Sequence, residues 1–535
     1  MRSPPVSVSL GCHVTGVALP KPDLSDSVSL LAGAMKRFLA PPPDDFWAHN
    51  SAAQPNGPLS KLSNYVTERV VEKWPVLQSI KPFEVWIEER PYPRKRKDEL
   101  IKLHAKLVQP DVFPMEYFPR KVKEHMKDEP YPEYKYPRPI NAAEDDWKVL
   151  LGPIFSSMED TVFSDPTFIK HIPIAARPRY IRDRLGEVRR AATADFSSFE
   201  ASFRKEIMES VEFPVYRHFL SLLPDYYFRL LCRLYNVQFI ENKHYAICCL
   251  ARRMSGEMNT SLANGLSNYF LQEYVCLVVC KNEWMRGVFE GDDGLFVVSH
   301  SYPKPEDYSV LGFTIKLEIF DTLEEASFCG LIFDPVELAN ITDPRECITT
   351  FGWTTREYLF ARQSKLDMLL VAKAYSYLAQ YPGAPVLQPL AMWILSVVKH
   401  DKEAVYEFVR DKMCTSMWER SQILDALRSS PLPREIGLKT RLLMAKKFNF
   451  TIDQQLDIER WFSLQTTVCP IPGSLIGILH PDCADYYKKY VREVEVGREA
   501  VHAFIINYPV GLPSVPSDFV YQTPVSHAKV HSPKV

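Results

Sequence analysis

The sequence predicts an α+β protein, with a mixed core over about residues 185–335 and an α-rich region after it. Two observations predict this. Across 185–335 short apolar runs with strand character alternate with segments whose apolar residues recur every three or four positions. After about residue 350 the helical spacing dominates, in blocks such as Tyr358–Leu378 and Leu390–Val398.

Before the core, proline outnumbers glycine (43 against 20 in the whole chain), so connections are stiff. Prolines cluster at Ala40–Asp44, Arg90–Pro93 and Tyr131–Pro139. Ala191–Phe196 reads as a short strand with Asp195 near its end. Phe199, Phe203, Ile207 and Val211 then fall every four residues, which predicts a helix packed on one side. Thr260 to Cys280 reads as one long buried helix, with Thr260, Asn264 and Asn268 as a polar stripe and Cys276 and Cys280 on one apolar face. Gly287–Glu290 and Gly294–Ser299 flank Gly291-Asp292-Asp293 as the arms of a hairpin. From Tyr508 onward Pro, Ser, Val and His mix without periodicity, the composition of a disordered or loosely attached tail.

Composition narrows the classes of function. The 535 residues are 46% hydrophobic and 24% charged, ordinary for a globular protein. A formal net charge of −2 argues against a polybasic binding protein, though not against basic residues lining an internal channel. Eleven cysteines without CxxC spacing predict free thiols in a reducing compartment. No apolar run reaches the roughly 18–20 residues that span a bilayer, and no secretory signal opens the chain. The expectation is a soluble, intracellular protein, brought to membranes only through a partner.

Two adjacent carboxylates at the tip of a hairpin repel each other unless a cation binds, and magnesium takes such oxygen ligands. An ordinary turn favours the same residues for backbone reasons. Asp195 at a strand end is the natural third carboxylate of a two-metal site, and equally a helix N-cap. Between them lies Arg252-Arg253-Met254-Ser255-Gly256-Glu257-Met258-Asn259-Thr260, in which Ser-Gly suits a flexible loop and the polar stripe begins. Its side chains need partners, either a sugar hydroxyl or neighbouring backbone.

The order Asp195-x4-Glu200, Ser255-Gly256-x3-Thr260-x3-Asn264, Gly291-Asp292-Asp293 resembles motifs A, B and C of RNA-dependent RNA polymerases of positive-strand RNA viruses, of the tombusvirus-like and flavivirus-like groups. Leu311-Gly312-Phe313-Thr314-Ile315-Lys316-Leu317-Glu318 looks like motif D and Ser327-Phe328-Cys329-Gly330 like motif E. Lys127-Asp128-Glu129 and Lys135-Tyr136-Pro137-Arg138-Pro139-Ile140 are similar to motif F. The resemblance covers about residues 127–335. Family members usually carry Asp where this chain has Glu200, which changes the geometry at the sugar.

The resemblance implies a right-hand fold: an N-terminal region and fingers over 1–184, a palm over 185–335 with a fingers insertion near 205–250, a thumb over 336–505 and a tail over 506–535. It implies that Asp195, Asp292 and Asp293, with the backbone carbonyl of Phe196, hold two Mg2+ (or Mn2+) ions. Lys127, Lys135 and Arg138 would meet the incoming triphosphate. Glu200, Ser255, Gly256, Thr260 and Asn264 would surround the ribose, whose 2′-hydroxyl separates RNA from DNA precursors. Lys316 would protonate the departing pyrophosphate, or is a solvated strand lysine. Implied partners are template and product RNA, ribonucleoside triphosphates and other viral replication proteins. The implied setting is the host cytoplasm, at membrane-associated replication complexes. The rivals are a catalytically idle RNA-binding relative and an unrelated metal-dependent phosphotransferase; the chain has no GxxxxGK[ST] loop to support the latter.

Overall fold

The strand Ala191–Phe196 organises the core. In the computed structural model it is central in a four-stranded antiparallel sheet, flanked by Asp293–Val298 and Ile315–Phe320, with Met285–Glu290 completing the sheet beyond Asp293–Val298. The described residues are 6–12, 27–38, 40–50, 56–108, 120–127, 136–186, 190–413, 415, 417–472, 475, 503–506 and 521–522. Helices and antiparallel strands are both abundant, so the α+β expectation holds.

Alternation along the central strand divides the core. Ala192, Ala194 and Phe196 face the larger cluster, which also takes in Phe296 and Ile315. Ala191 faces a smaller cluster with Val288, Leu295 and Val297, covered by the helix Arg177–Leu185 through Ile181 and Leu185. Small residues on the middle strand let both layers approach closely. Phe196, Phe199, Phe203 and Phe313 stack beneath it with centroids 4.4–5.7 Å apart. Burying each such ring stabilises the fold by about 1.5–3 kcal/mol.

The helix expected across Phe199–Val211 is two helices, Phe199–Ser202 and Lys205–Phe219. Phe203 and Arg204 between them are extended, at ψ 101° and 168°. The break turns Phe203 onto Phe313 and sends Arg204 to the carbonyl of Ala40. All four spaced residues are nevertheless buried, because a four-residue period survives a kink that keeps the same face inward. The long helix from Thr260 likewise ends at Tyr274 and passes into a π turn over Val275–Val279, closed by Cys280 N donating to Val275 O at 2.8 Å. Cys276 is buried, whereas Cys280 is only half-buried.

A second four-stranded sheet joins distant segments. Arg120–Met126 pairs with Pro139–Ala143 on one side and, in parallel, with Val237–Glu241 on the other; Ala246–Leu250 completes it. The upstream basic stretch and the insertion near 205–250 thus share one sheet. The strand Val6–Ser9 pairs with Trp353–Thr355 and Ala503–Ile506, so this part of the N-terminal region packs with the C-terminal half. Of the segment expected as a tail, Tyr521–Gln522 pairs with Ile505–Ile506.

After residue 360 six helices, Gln363–Gln380, Leu387–Val397, Lys402–Asp411, Met417–Ser429, Leu438–Phe448 and Ile452–Leu464, enclose their own core around Leu370, Leu390, Ile394, Val409 and Ile458. Among the described residues no helix is long and apolar enough to cross a membrane, and the nine cysteines are free thiols.

Candidate functional site

Glu290 pairs directly with Asp293, leaving Gly291 and Asp292 as a two-residue hairpin turn. Gly291 has φ +60°, and a Cβ there would meet nothing within 4 Å, so its glycine serves the backbone conformation. The turn is held from behind by the helix Thr260–Tyr274: Asn268 Nδ2 donates to the Gly291 carbonyl at 3.3 Å. Gly294 makes room for the Phe289 ring, which a Cβ there would meet at 3.0 Å.

Strand register lines up the charged side chains. Ala194 opposes Gly294, so Asp195, one step further, continues into line with Asp293 on the same face of the pleat. On its other side Asp195 pairs with Lys316. Glu290, Asp293, Asp195 and Lys316 therefore form a row across four strands, with Asp292 on the turn beside it. Directly opposed residues in such a ladder have Cα atoms about 4.5–5.5 Å apart.

The three aspartate side chains reach solvent. Desolvation by the surrounding protein nevertheless pushes the Asp292 carboxyl up; Glu200 and then Asp195 add to the shift, and Arg138 opposes it. Partial burial pushes Asp293 up to about 6, reinforced by Asp292, Asp195 and Glu290. Crowded carboxylates of this kind are what a bound cation relieves, and the donors are the hard oxygens magnesium takes. Among the described residues no group of three or more His, Cys, Asp or Glu side chains lies close enough together to hold a metal ion.

Around the row, Arg177 pairs with Glu290 at 2.7 Å and Cys329 Sγ lies 3.8 Å from Glu290 Oε2. These three residues, with Asp293, Gln380 and Tyr381, line a cleft of about 360 Å³. Cys329 (φ +51°) and Gly330 (φ +72°) form the turn of a tight reversal closed by Phe328 and Leu331.

The remaining expected site residues divide. The Phe196 ring is buried, so only its backbone is available to the site. Arg138 lies close enough to act on Asp292, and its carbonyl accepts from Lys127 N at 2.8 Å; Lys135 is outside the described residues. Glu200 pairs with Arg37 at 3.4 Å. Asn264 is buried, with Oδ1 lacking a partner among the described residues. Lys316 is exposed, its Nζ 2.7 Å from Glu318.

The loop residues expected at the ribose also bond within the protein. The Ser255-Gly256 loop is held rather than free: Gly256 N donates to Asn141 O at 2.8 Å, and Ser255 Oγ bridges Asn141 N and Pro139 O at 3.3 Å each. A Cβ at Gly256 would sit 2.7 Å from Asn141 O, so the glycine permits a close approach of two backbones. Thr260 Oγ1 donates to Met254 O at 2.7 Å and accepts from Glu257 N at 3.2 Å. With both bonds made locally, Thr260 shapes the loop entering the helix. Arg37 and Arg177 were missed because nothing in their local sequence marks them. Glu290 was signalled only by its place beside the turn.

No known protein family matches this sequence, and no characterised protein is significantly similar to it. The likeness to polymerases rests on the motif residues.

Proposed function

We propose that this chain is a viral RNA-dependent RNA polymerase, extending an RNA 3′ end from ribonucleoside triphosphates and releasing pyrophosphate. One observation carries the reading: Asp195 and the Gly291-Asp292-Asp293 turn, nearly a hundred residues apart in sequence, share one antiparallel sheet on the same face. In this reading the sheet is the palm, the segments before it and near 205–250 are the fingers, and the C-terminal helices are the thumb.

Asp195, Asp292 and Asp293, with the Phe196 carbonyl, would hold two Mg2+ or Mn2+ ions. Such ions supply a lowered pKa for the attacking 3′-hydroxyl and charge neutralisation for the leaving pyrophosphate. Arg138 and Lys127 neutralise the triphosphate as it enters. Asn264, whose buried Oδ1 has no partner among the described residues, and Glu200 offer acceptors to the ribose. Lys316, across from Asp195, donates a proton to the pyrophosphate. Template and product RNA bind through a basic channel whose affinity falls with salt. The enzyme works in the host cytoplasm, with other replication proteins drawing it to membrane-associated complexes.

A primer-extension assay tests the reading. The expected result is Mg2+- or Mn2+-dependent ribonucleotide incorporation on an RNA template, abolished by Asp292→Ala. Incorporation that survives this substitution overturns the metal assignment; RNA binding without incorporation under any metal replaces the enzyme with an idle relative.

A further inference from the structure

The helix Ser27–Phe38 reaches the site from far upstream. Its end is fixed by Arg252 Nε, which donates to the Phe38 carbonyl at 2.6 Å. Its first turn lies against Tyr245, whose hydroxyl is 3.2 Å from Leu30 O. At Gly33 it packs so tightly on the Pro137 carbonyl, one residue before Arg138, that a Cβ would overlap that oxygen. From its last turn Arg37 Nη1 donates to Glu200 Oε2 at 3.4 Å, both side chains being 17% exposed. One helix therefore abuts the segment that carries Arg138 and grips the carboxylate beside Asp292.

Glu200 has one more methylene than aspartate and, unheld, would sample several rotamers. The Arg37 contact occupies Oε2, and among the described residues no hydrogen bond forms at Oε1. A half-buried carboxylate fixed on one oxygen and free on the other is an acceptor awaiting a donor hydroxyl.

We infer that Arg37 is a positioning residue for sugar selection, holding Glu200 so that its free oxygen accepts the 2′-hydroxyl of an incoming ribonucleotide. The inference rests on the polymerase reading above. A 2′-deoxy substrate leaves that oxygen dehydrated and unpaired, the situation in which a hydrogen-bonding site discriminates most strongly. Arg37 also offsets charge that would otherwise add to the crowding at Asp292.

The test is single-nucleotide incorporation by the full chain, with the ratio of kcat/KM for a ribonucleotide to that for its 2′-deoxy analogue as the readout. Arg37→Met and Glu200→Gln are each expected to lower this ratio roughly tenfold or more, the worth of one charge-assisted hydrogen bond. Arg37→Lys should restore part of it. A residue that merely braces the fold lowers both rates together, so an unchanged ratio in Glu200→Gln or Arg37→Met overturns the inference. Should Arg37→Met fail to fold, as judged by thermal unfolding, Arg37→Gln takes its place, with a lowered ratio expected and an unchanged ratio overturning the inference. A wild-type chain that incorporates nothing removes the polymerase reading and this inference with it; a wild type that polymerises while the variants keep its ratio removes only the inference.

Discussion

Asn268 Nδ2 donates to the Gly291 carbonyl at 3.3 Å, joining the helix Thr260–Tyr274 to the turn that carries Asp292 and Asp293. Asn268 also accepts from Gln272 Nε2 at 3.5 Å, and Gln272 Oε1 takes the buried Tyr308 hydroxyl, so the turn ends a polar chain through the core. Replacing Asn268 with Leu removes the anchor and leaves Gln272 short of a partner. The expected cost is about 1–3 kcal/mol, measured by chemical denaturation. In the polymerase reading kcat should fall on the order of tenfold, because a turn free to shift misplaces both aspartates.

The crowded carboxylates give a second prediction. Asp293 titrates near 6 in the folded protein against an ordinary 3.8, so between those values the folded state holds a proton that the unfolded state has lost. The associated stability is fully present below about pH 4 and is lost as pH rises through 6. At pH 7.5 the charged Asp293 is therefore a burden to the metal-free protein. Asp293→Asn should stabilise it by about 1 kcal/mol in EDTA, the exposed side chain being partly screened by solvent. The gain should vanish below pH 4. Added Mg2+ should raise the Tm of the wild type more than that of Asp293→Asn. Equal stability of the two proteins at pH 7.5 would remove the crowding.

Away from the site, Arg253 and Glu212 form an ion pair with both side chains fully buried. Glu212 Oε2 also accepts from Tyr216 at 3.1 Å and Tyr235 at 2.6 Å, while the Arg253 guanidinium lies 4.7 Å from the Phe203 ring centroid. Arg253→Met leaves a dehydrated carboxylate among two hydroxyls and should destabilise by about 3–5 kcal/mol. Adding Glu212→Leu should recover part of that loss, since the pair is then absent rather than half-present. Denaturation of the two singles and the double gives the coupling; strictly additive losses would contradict it.

The hairpin around Gly291 was legible because its two apolar arms and the turn residues occupy one continuous stretch, where local chemistry decides the outcome. The central strand was legible for the same reason. The break at Phe203 was not: Phe199, Phe203, Ile207 and Val211 face the core whether the helix is continuous or kinked, so periodicity carries no record of the kink. The polar stripe marked Asn268 without saying that its partner would be a carbonyl of the turn itself. Arg37 and Glu200 are 163 residues apart, and Arg37 looks like any basic residue in a last helical turn. Such pairings are set by how elements dock, which neither propensity nor spacing encodes.

Lys316 supplies the last prediction. It stands opposite Asp195 in the ladder, yet its ammonium contacts Glu318 at 2.7 Å on the same strand, and that contact raises its pKa. In the polymerase reading the lysine, to protonate pyrophosphate, leaves Glu318 and swings along the face it shares with Asp195, a small move for an exposed side chain with four rotatable bonds. Lys316→Met is expected to lower kcat by on the order of a hundredfold, with KM for the nucleotide changed little, as removal of a general acid does. The basic limb of the kcat–pH profile should disappear with it. Glu318→Gln frees the ammonium and lowers its pKa, so the same limb should move to lower pH while the reaction persists. A change in kcat below twofold in Lys316→Met would make Lys316 a solvated strand residue, with the proton then coming from water.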